Sequence, residues 1–411
     1  MNVKQLLSKY LFNVTPNMHK IRRLSLFAAI ESTINGGVLS VTGLGRNVDS
    51  RAYEKHRIKR VDRLCGNVHL QQEIPLVYSQ MCTAIVGQNK QPIIHVDWSD
   101  MDTRKQHFLI RASIATQGRS LTLYEEIHPL SLKEKPKTHR LFMEKLKAML
   151  PKHVKPIIVT DAGFRIPWFT LVESLDWDFV GRVRNRTFCK KKRDTTWLPV
   201  KSLYQLGTLR PKDLGPYQQG MKQSFESRMI VVWRKPKGRK DKTATGDRAR
   251  KSKKSRACAE REKEPWLLAT SLNKKGYLSK RVVKIYATRM QIEESFRDLK
   301  TGLKMNICNS RNSPRLQVLL LIALVAQYLL FLLGLAVKAA GKHRRYQANS
   351  IKDRNVLSNQ FIGLRAYKDK QLKLLKKHWK AAIDELNSLM AAPQASFKIL
   401  KFVGIPQGRS D

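Results

Sequence analysis

The chain has 411 residues, 42% of them hydrophobic, enough for roughly two to four domains with real cores. Its 79 Lys and Arg against 32 Asp and Glu leave a net charge of +47, and self-repulsion on that scale implies a polyanionic partner, nucleic acid or an anionic membrane. Five scattered cysteines without a C-x-x-C pair, and ten histidines without ligand spacing, argue against a disulfide framework or a zinc ribbon and fit a reduced, cytoplasmic setting.

Residues 1 to about 90 read as helical, and no secretory signal is expected at the N-terminus. Ser40 is placed to cap a short helix reaching Arg46. Turn chemistry follows at Asn47, Asp49 and Ser50, and a second helix is expected from about Ala52 to Cys65. On that helix Ile58, Val61 and Cys65 share one face, with His56, Lys59, Arg60 and Arg63 opposite. This is the pattern of a major-groove reader and equally that of an ordinary amphipathic helix.

From Pro92 the texture changes to strands. PIIHVDWSD is an apolar run ending in acid. HFLIRASIA and RSLTLYEEI read as a hairpin, and a helix is expected from about Thr138 to Leu150. PIIVTDAGF is a second apolar strand ending at Asp161, leading through Gly163 and Pro167 into a helix, and WDFVGRVRN is a further strand. Residues from about Arg186 to Glu264 interrupt the alternation. Within them, Arg234 to Arg256 holds twelve Lys or Arg in twenty-three residues, too few apolar groups to fold alone. PWLLATSL resumes a strand before a helix spanning Tyr286 to Lys300. Val318 to Val337 is twenty residues long and almost wholly apolar, which suits a membrane span or a helix buried on all sides. Basic residues on both flanks weaken the membrane orientation signal. A basic, mainly helical tail follows, with Lys368 to Met390 as its clearest helix.

Two acids end predicted strands. Asp97 follows Ile93, Ile94 and Val96; Asp161 follows Ile157, Ile158 and Val159. Ligands of α/β sheets sit at the carboxyl ends of strands, although a strand-end Asp also serves as a turn former or helix cap. Asp100, Asp102, Glu125 and Glu126 compete for any such role. In YATRMQIEESFRDLK, Tyr286, Arg289, Glu293 and Lys300 are spaced three, four and seven residues apart. On one continuous helix they fall within roughly 60° of one another, while Glu294 points about 100° further round. Three carboxylates, two at strand ends and one on a later helix, can hold two divalent cations about 4 Å apart, and hard oxygen ligands suit magnesium or manganese.

The chain resembles a DDE transposase of a bacterial insertion sequence, in the family recognised by a Y-(2)-R-(3)-E-(6)-K motif. Tyr286, Arg289, Glu293 and Lys300 match at every spacing, and VDWSD around Asp97 and VTDAGF around Asp161 match the contexts of the two aspartates. The resemblance extends from near Arg46 to near Asn355 and is closest to the cut-and-paste transposases of composite resistance transposons. It implies an α/β fold: an RNase H-like catalytic core with a β-rich insertion before the glutamate helix, flanked by helical N-terminal and C-terminal regions. The expected segments are 1–90 (DNA-binding), 91–185 and 265–345 (core), 186–264 (insertion) and 346–411 (DNA or dimer contacts). The resemblance also makes Val318 to Val337 a helix packed on the central sheet, with no membrane partner. It implies that Asp97, Asp161 and Glu293 bind two Mg2+ or Mn2+ ions, that Tyr286, Arg289 and Lys300 contact double-stranded DNA at the transposon end, and that Trp266 stacks on a flipped base. Lys59, Arg60 and Arg63 are further candidate DNA contacts. A homodimer would pair two ends before joining target DNA. The rival readings are a catalytically inactive end-binding repressor and a basic RNA-binding scaffold.

Overall fold

A computed structural model of the chain describes residues 3–102, 104–116, 119–184, 187–222, 224–235, 252–273, 278–305, 310, 312–351 and 353–391. Helices α1 (Val3–Val14), α2 (Lys20–Ile34), α3 (Val41–Asn47), α4 (Glu54–Cys65) and α5 (Val68–Val86) come first. Strands β1 (Ile93–Asp100), β2 (His107–Ala115) and β3 (Ser120–Pro129) lead to α6 (Pro136–Met149), β4 (Ile157–Thr160), α7 (Ile166–Ser174) and β5 (Asp178–Arg182). Then come β6 (Phe188–Lys190), β7 (Leu198–Pro199), β8 (Lys212–Gln219), β9 (Phe225–Val232), α8 (Lys253–Lys263) and β10 (Trp266–Thr270). The last helices are α9 (Leu278–Ala287), α10 (Met290–Arg297), α11 (Ser313–Ala339), α12 (Asn359–Lys368) and α13 (Lys376–Ala391). These elements form two compact units: Met1–Pro156 with Met290–Asp411, and Ile157–Arg289.

In the first unit the N-terminal helices follow the sequence signals. Ser40 Oγ accepts the Gly43 amide at 3.1 Å and so caps α3, and α4 buries Val61, Leu64 and Cys65. Strands β1, β2 and β3 form an antiparallel meander in the order β3-β2-β1. Its register sets Asp97 opposite Arg111 and Arg111 opposite Glu125, so the three residues share one face. Strand β1 does not stop at Asp97, as expected from its sequence, but runs on to Asp100, because Trp98, Ser99 and Asp100 keep pairing with Ile110, Leu109 and Phe108.

Helix α11 is buried along its entire apolar stretch, which by length and composition alone would cross a membrane. Its packing differs from the expected docking on a central sheet. It lies chiefly against α12, α13, α2 and α5, and touches the sheet at β3. All-round apolarity is what a helix enclosed by other helices requires. The approach to α12 is close: a Cβ on Gly334 would sit 1.9 Å from the Asn359 carbonyl oxygen, and one on Gly363 would sit 1.9 Å from that of Leu330. The helix expected over Lys368 to Met390 is broken. Asp369 accepts the Gln371 amide at 2.9 Å and the Tyr346 hydroxyl at 2.9 Å, offering the backbone a local alternative, and α13 starts only at Lys376.

In the second unit the strand order is β4-β5-β10-β9-β8-β6-β7. β4 and β5 pair in parallel, as a strand–helix–strand crossover demands, and the rest pair antiparallel. The interruption from Arg186 to Glu264 is thus β-rich and continues one sheet through β9, β8, β6 and β7. Of the basic stretch Arg234 to Arg256, residues 236–251 lie outside the described residues; α8 begins just after them.

The helix expected over Tyr286 to Lys300 is three pieces. After Ala287 the backbone tightens: the Thr288 and Arg289 amides donate to Ile285 and Tyr286 carbonyls three residues back, and the Thr288 hydroxyl also donates to the Ile285 carbonyl at 2.7 Å. Helix α10 then starts at Met290 and passes into a π-turn over Asp298–Gly302. The single 100° progression across the four motif residues therefore does not hold.

Candidate active site

The motif residues divide between the units: Asp97, Glu293 and Lys300 in the first, Asp161, Trp266, Tyr286 and Arg289 in the second. In the first unit the half-buried Asp97 accepts the Trp98 amide through Oδ1 at 2.8 Å. Glu293 stands exposed in the first turn of α10, whose dipole favours an acid there. Its neighbour Glu294 is engaged by Arg119 at 3.4 Å and by Arg297. Lys300 Nζ donates to Ser99 Oγ at 2.9 Å and to the Asp100 carbonyl at 3.3 Å, two and three residues beyond Asp97. Burial pushes the Lys300 ammonium below its usual pKa; the Asp100 carboxylate opposes that shift and Arg111 reinforces it.

The competing acids are all engaged elsewhere. Asp100 Oδ1 lies 3.5 Å from Lys133 Nζ. Asp102 accepts the Gln106 and His107 amides and faces His107 Nδ1 at 3.1 Å. Glu126 meets Lys145 at 2.6 Å, His128 at 2.9 Å and the Tyr124 hydroxyl; against the penalty of burial, these bonds hold its pKa at about 2. Glu125 is 1% exposed and receives Arg111 Nε at 2.7 Å and Nη2 at 2.6 Å, while Tyr78 approaches its other oxygen at 3.4 Å.

Arg111 also reaches α10. Its Nη1 donates to Ser295 Oγ at 3.0 Å, and its guanidinium carbon lies 4.9 Å from the Phe296 ring centre. Gln291 Oε1 accepts the Thr116 amide at 3.1 Å, and Arg119 Nε donates to Asp298 Oδ2 at 2.8 Å. The β2–β3 hairpin thus pins three successive points along α10 and its π-turn, leaving Glu293 on the exposed side. This network has no motif in the sequence. Its signal was a lone arginine in the apolar run from Phe108 to Ile114, opposite a glutamate pair across the hairpin.

In the second unit Asp161 directly follows β4, and its Oδ1 accepts the Gly163 amide at 2.8 Å. Tyr286 is 4% exposed, and Trp266 meets it edge-on with ring centres 4.8 Å apart. Arg234 covers Trp266, its guanidinium carbon 4.5 Å from the ring centre. Burial raises the Tyr286 pKa, while Arg289, Arg182 and Arg184 pull it down and Asp161 adds to the rise, so these charges share one neighbourhood. Arg165, Arg182, Arg184, Lys201 and Arg261 line a cavity of about 830 Å3 that begins beside Asp161, at Ala162. Of the N-terminal candidates, Lys59 and Arg63 are exposed. Arg60 does not stand on the free basic face as expected: it bonds Ser25 Oγ at 3.2 Å and the Leu24 carbonyl at 3.0 Å on α2.

Among the described residues, no three His, Cys, Asp or Glu side chains form a ready metal-holding cluster. The donor chemistry nonetheless fits a hard divalent cation, because Asp97, Asp161 and Glu293 are carboxylates that solvent reaches.

Each unit thus carries part of the acid set: Asp97 on β1 and Glu293 on α10 in the first, Asp161 just after β4 in the second. The chain belongs to the family of the transposase DDE domain, which matches residues 88–329, from just before β1 into α11. No curated protein matches it.

Proposed function

We propose that the chain is an insertion-sequence DNA transposase of the Y-(2)-R-(3)-E-(6)-K group, with an RNase H-like core. It binds the element's terminal inverted repeats and moves the element by cut-and-paste. The observation that carries this reading is the ordered spacing of Tyr286, Arg289, Glu293 and Lys300 in a chain whose residues 88–329 match the transposase DDE domain, with Glu293 exposed at the start of α10.

On this reading Asp97, Asp161 and Glu293 would hold two Mg2+ or Mn2+ ions, which when bound would lower the pKa of the attacking water or 3′-hydroxyl and stabilise the departing oxygen. Arg289 and Lys300 neutralise phosphates flanking the scissile bond, with Tyr286 backing the same DNA contact. Trp266 offers a face for a displaced base, worth about 1–3 kcal/mol, once Arg234 swings off its ring. The cations of the second-unit cavity, with Lys59 and Arg63, supply further phosphate contacts. One site then serves in turn to nick one strand, drive the freed 3′-hydroxyl into the opposite strand as a hairpin, open the hairpin with water and join the 3′ end to target DNA. A homodimer pairs the two ends, and the reaction takes place on nucleoid DNA in the cytoplasm.

The test is purified protein with its own element's ends and Mg2+. Asp97→Asn and Glu293→Gln should bind ends as wild type does but lose cleavage by several orders of magnitude, whereas Glu294→Gln should retain most of it. Cleavage by all variants alike would remove the active-site assignment, and a wild type that binds without cleaving would make the chain an end-binding repressor. Trp266→Ala should nick normally and form few hairpins; an unchanged hairpin yield would remove its stacking role.

A further inference from the structure

Arg111 presents a problem that the catalytic reading does not solve. It is 1% exposed, sits in register beside Asp97 and carries a permanent positive charge. Directly opposed residues in an antiparallel pair have Cβ atoms about 4.5–5.5 Å apart, well within the reach of an arginine. Ser99, two residues from Asp97 and on the same face of β1, already holds Lys300, so this face is crowded with cations. A guanidinium closing on Asp97 would compete with any metal for its oxygens.

The geometry shows what prevents this. Glu125, in register on the far side of Arg111, takes both Nε and Nη2 on one oxygen, and the remaining terminal nitrogen, Nη1, is spent on Ser295 of α10. Stability does not explain such a pair. A buried arginine–glutamate pair is usually no more stabilising than apolar residues of the same volume, so its value lies in direction.

We infer that Glu125 is a positioning residue that holds the Arg111 guanidinium away from Asp97 and against the helix that carries Glu293, so that Arg111 does not compete with a divalent cation for the Asp97 carboxylate. The inference rests on the reading of Asp97 as a metal ligand. It makes Glu125 important without making it a ligand, and it predicts that the damage from losing Glu125 is done by Arg111.

The test measures Mn2+ binding by calorimetry and by the electron paramagnetic resonance of the ion, alongside thermal unfolding, on the full chain with end DNA. Glu125→Gln should weaken Mn2+ binding about tenfold or more, as loss of an outer-shell partner does. Arg111→Met/Glu125→Gln should restore it to near the wild-type value although a further buried polar group has gone. A double variant that binds as poorly as Glu125→Gln overturns the inference, since a merely structural role gives no rescue. If Glu125→Gln does not fold, Arg111→Met/Glu125→Leu removes the charge pair entirely and should bind Mn2+ like wild type; a folded double variant that fails to bind is equally fatal. Asp97→Asn separates the two levels. If it leaves Mn2+ binding intact, the parent reading fails; if it abolishes binding while Glu125→Gln does not weaken it, this inference alone fails.

Discussion

At the scale of single residues, the packing beside Asp97 loses stability in mildly acidic solution. Trp98 Nε1 donates to His139 Nε2 at 3.0 Å, which requires the neutral imidazole. Burial, reinforced by His128, lowers the His139 pKa from 6.5 to about 4. Because the folded value lies below the unfolded one, the unfolded chain binds more protons between them. The stability this histidine contributes is therefore complete above pH 6.5 and is lost as the pH falls towards about 4. Glu126, held at about 2 against an ordinary 4.5, acts in the same direction in a lower window. Thermal unfolding followed from pH 7 to 5 should show a falling midpoint for wild type and a shallower fall for His139→Gln, which keeps an acceptor for Trp98. Equal slopes would mean that His139 is not the group responsible. None of this was legible in the sequence, because a tryptophan–histidine bond spanning β1 and α6 has no local signature.

At the scale of elements, what the sequence made legible followed from periodicity and caps. The α3–turn–α4 arrangement, the hairpin strands and the apolar strands before Asp97 and Asp161 all stand close to where pattern placed them. What it hid were breaks made by side chains that bond their own backbone. Thr288 ends α9 in the middle of the motif, and Asp369 separates α12 from α13, although both stretches look continuously helical by composition. The α11–α12 crossing was equally hidden, since a glycine in a helix reads as a weakness until its opposing carbonyl is known. Gly363→Ala should cost about 1–3 kcal/mol or more, as overpacking does when backbone must move. Chemical denaturation would register the loss; a variant as stable as wild type would show that the two helices can part without penalty.

At the scale of the whole molecule, the charge of +47 suits a polyanionic partner, which on the proposed function is DNA. A protein neutralising some six to ten of them loses about 10³–10⁵ in affinity between 50 and 200 mM salt. End binding measured across that range should fall steeply and log-linearly, and a flat profile would be incompatible with the cationic cavity and the Lys59 and Arg63 surface as DNA contacts. The same measurement on Arg165→Ala and Arg261→Ala should give a shallower slope, by about one phosphate each.

The enclosure of α11 has a consequence for how the protein is made. The ribosome completes α11 before α12 and α13, so a helix hydrophobic on every side waits without two of its principal covers until the last part of the chain emerges. Truncation after about residue 345 removes what looks like a dispensable basic tail, yet it uncovers the most apolar segment of the chain. Such a product should therefore be lost to aggregation or degradation while Asp97, Asp161 and Glu293 are all still present in it, and the yield of soluble truncated chain against full-length chain would show it.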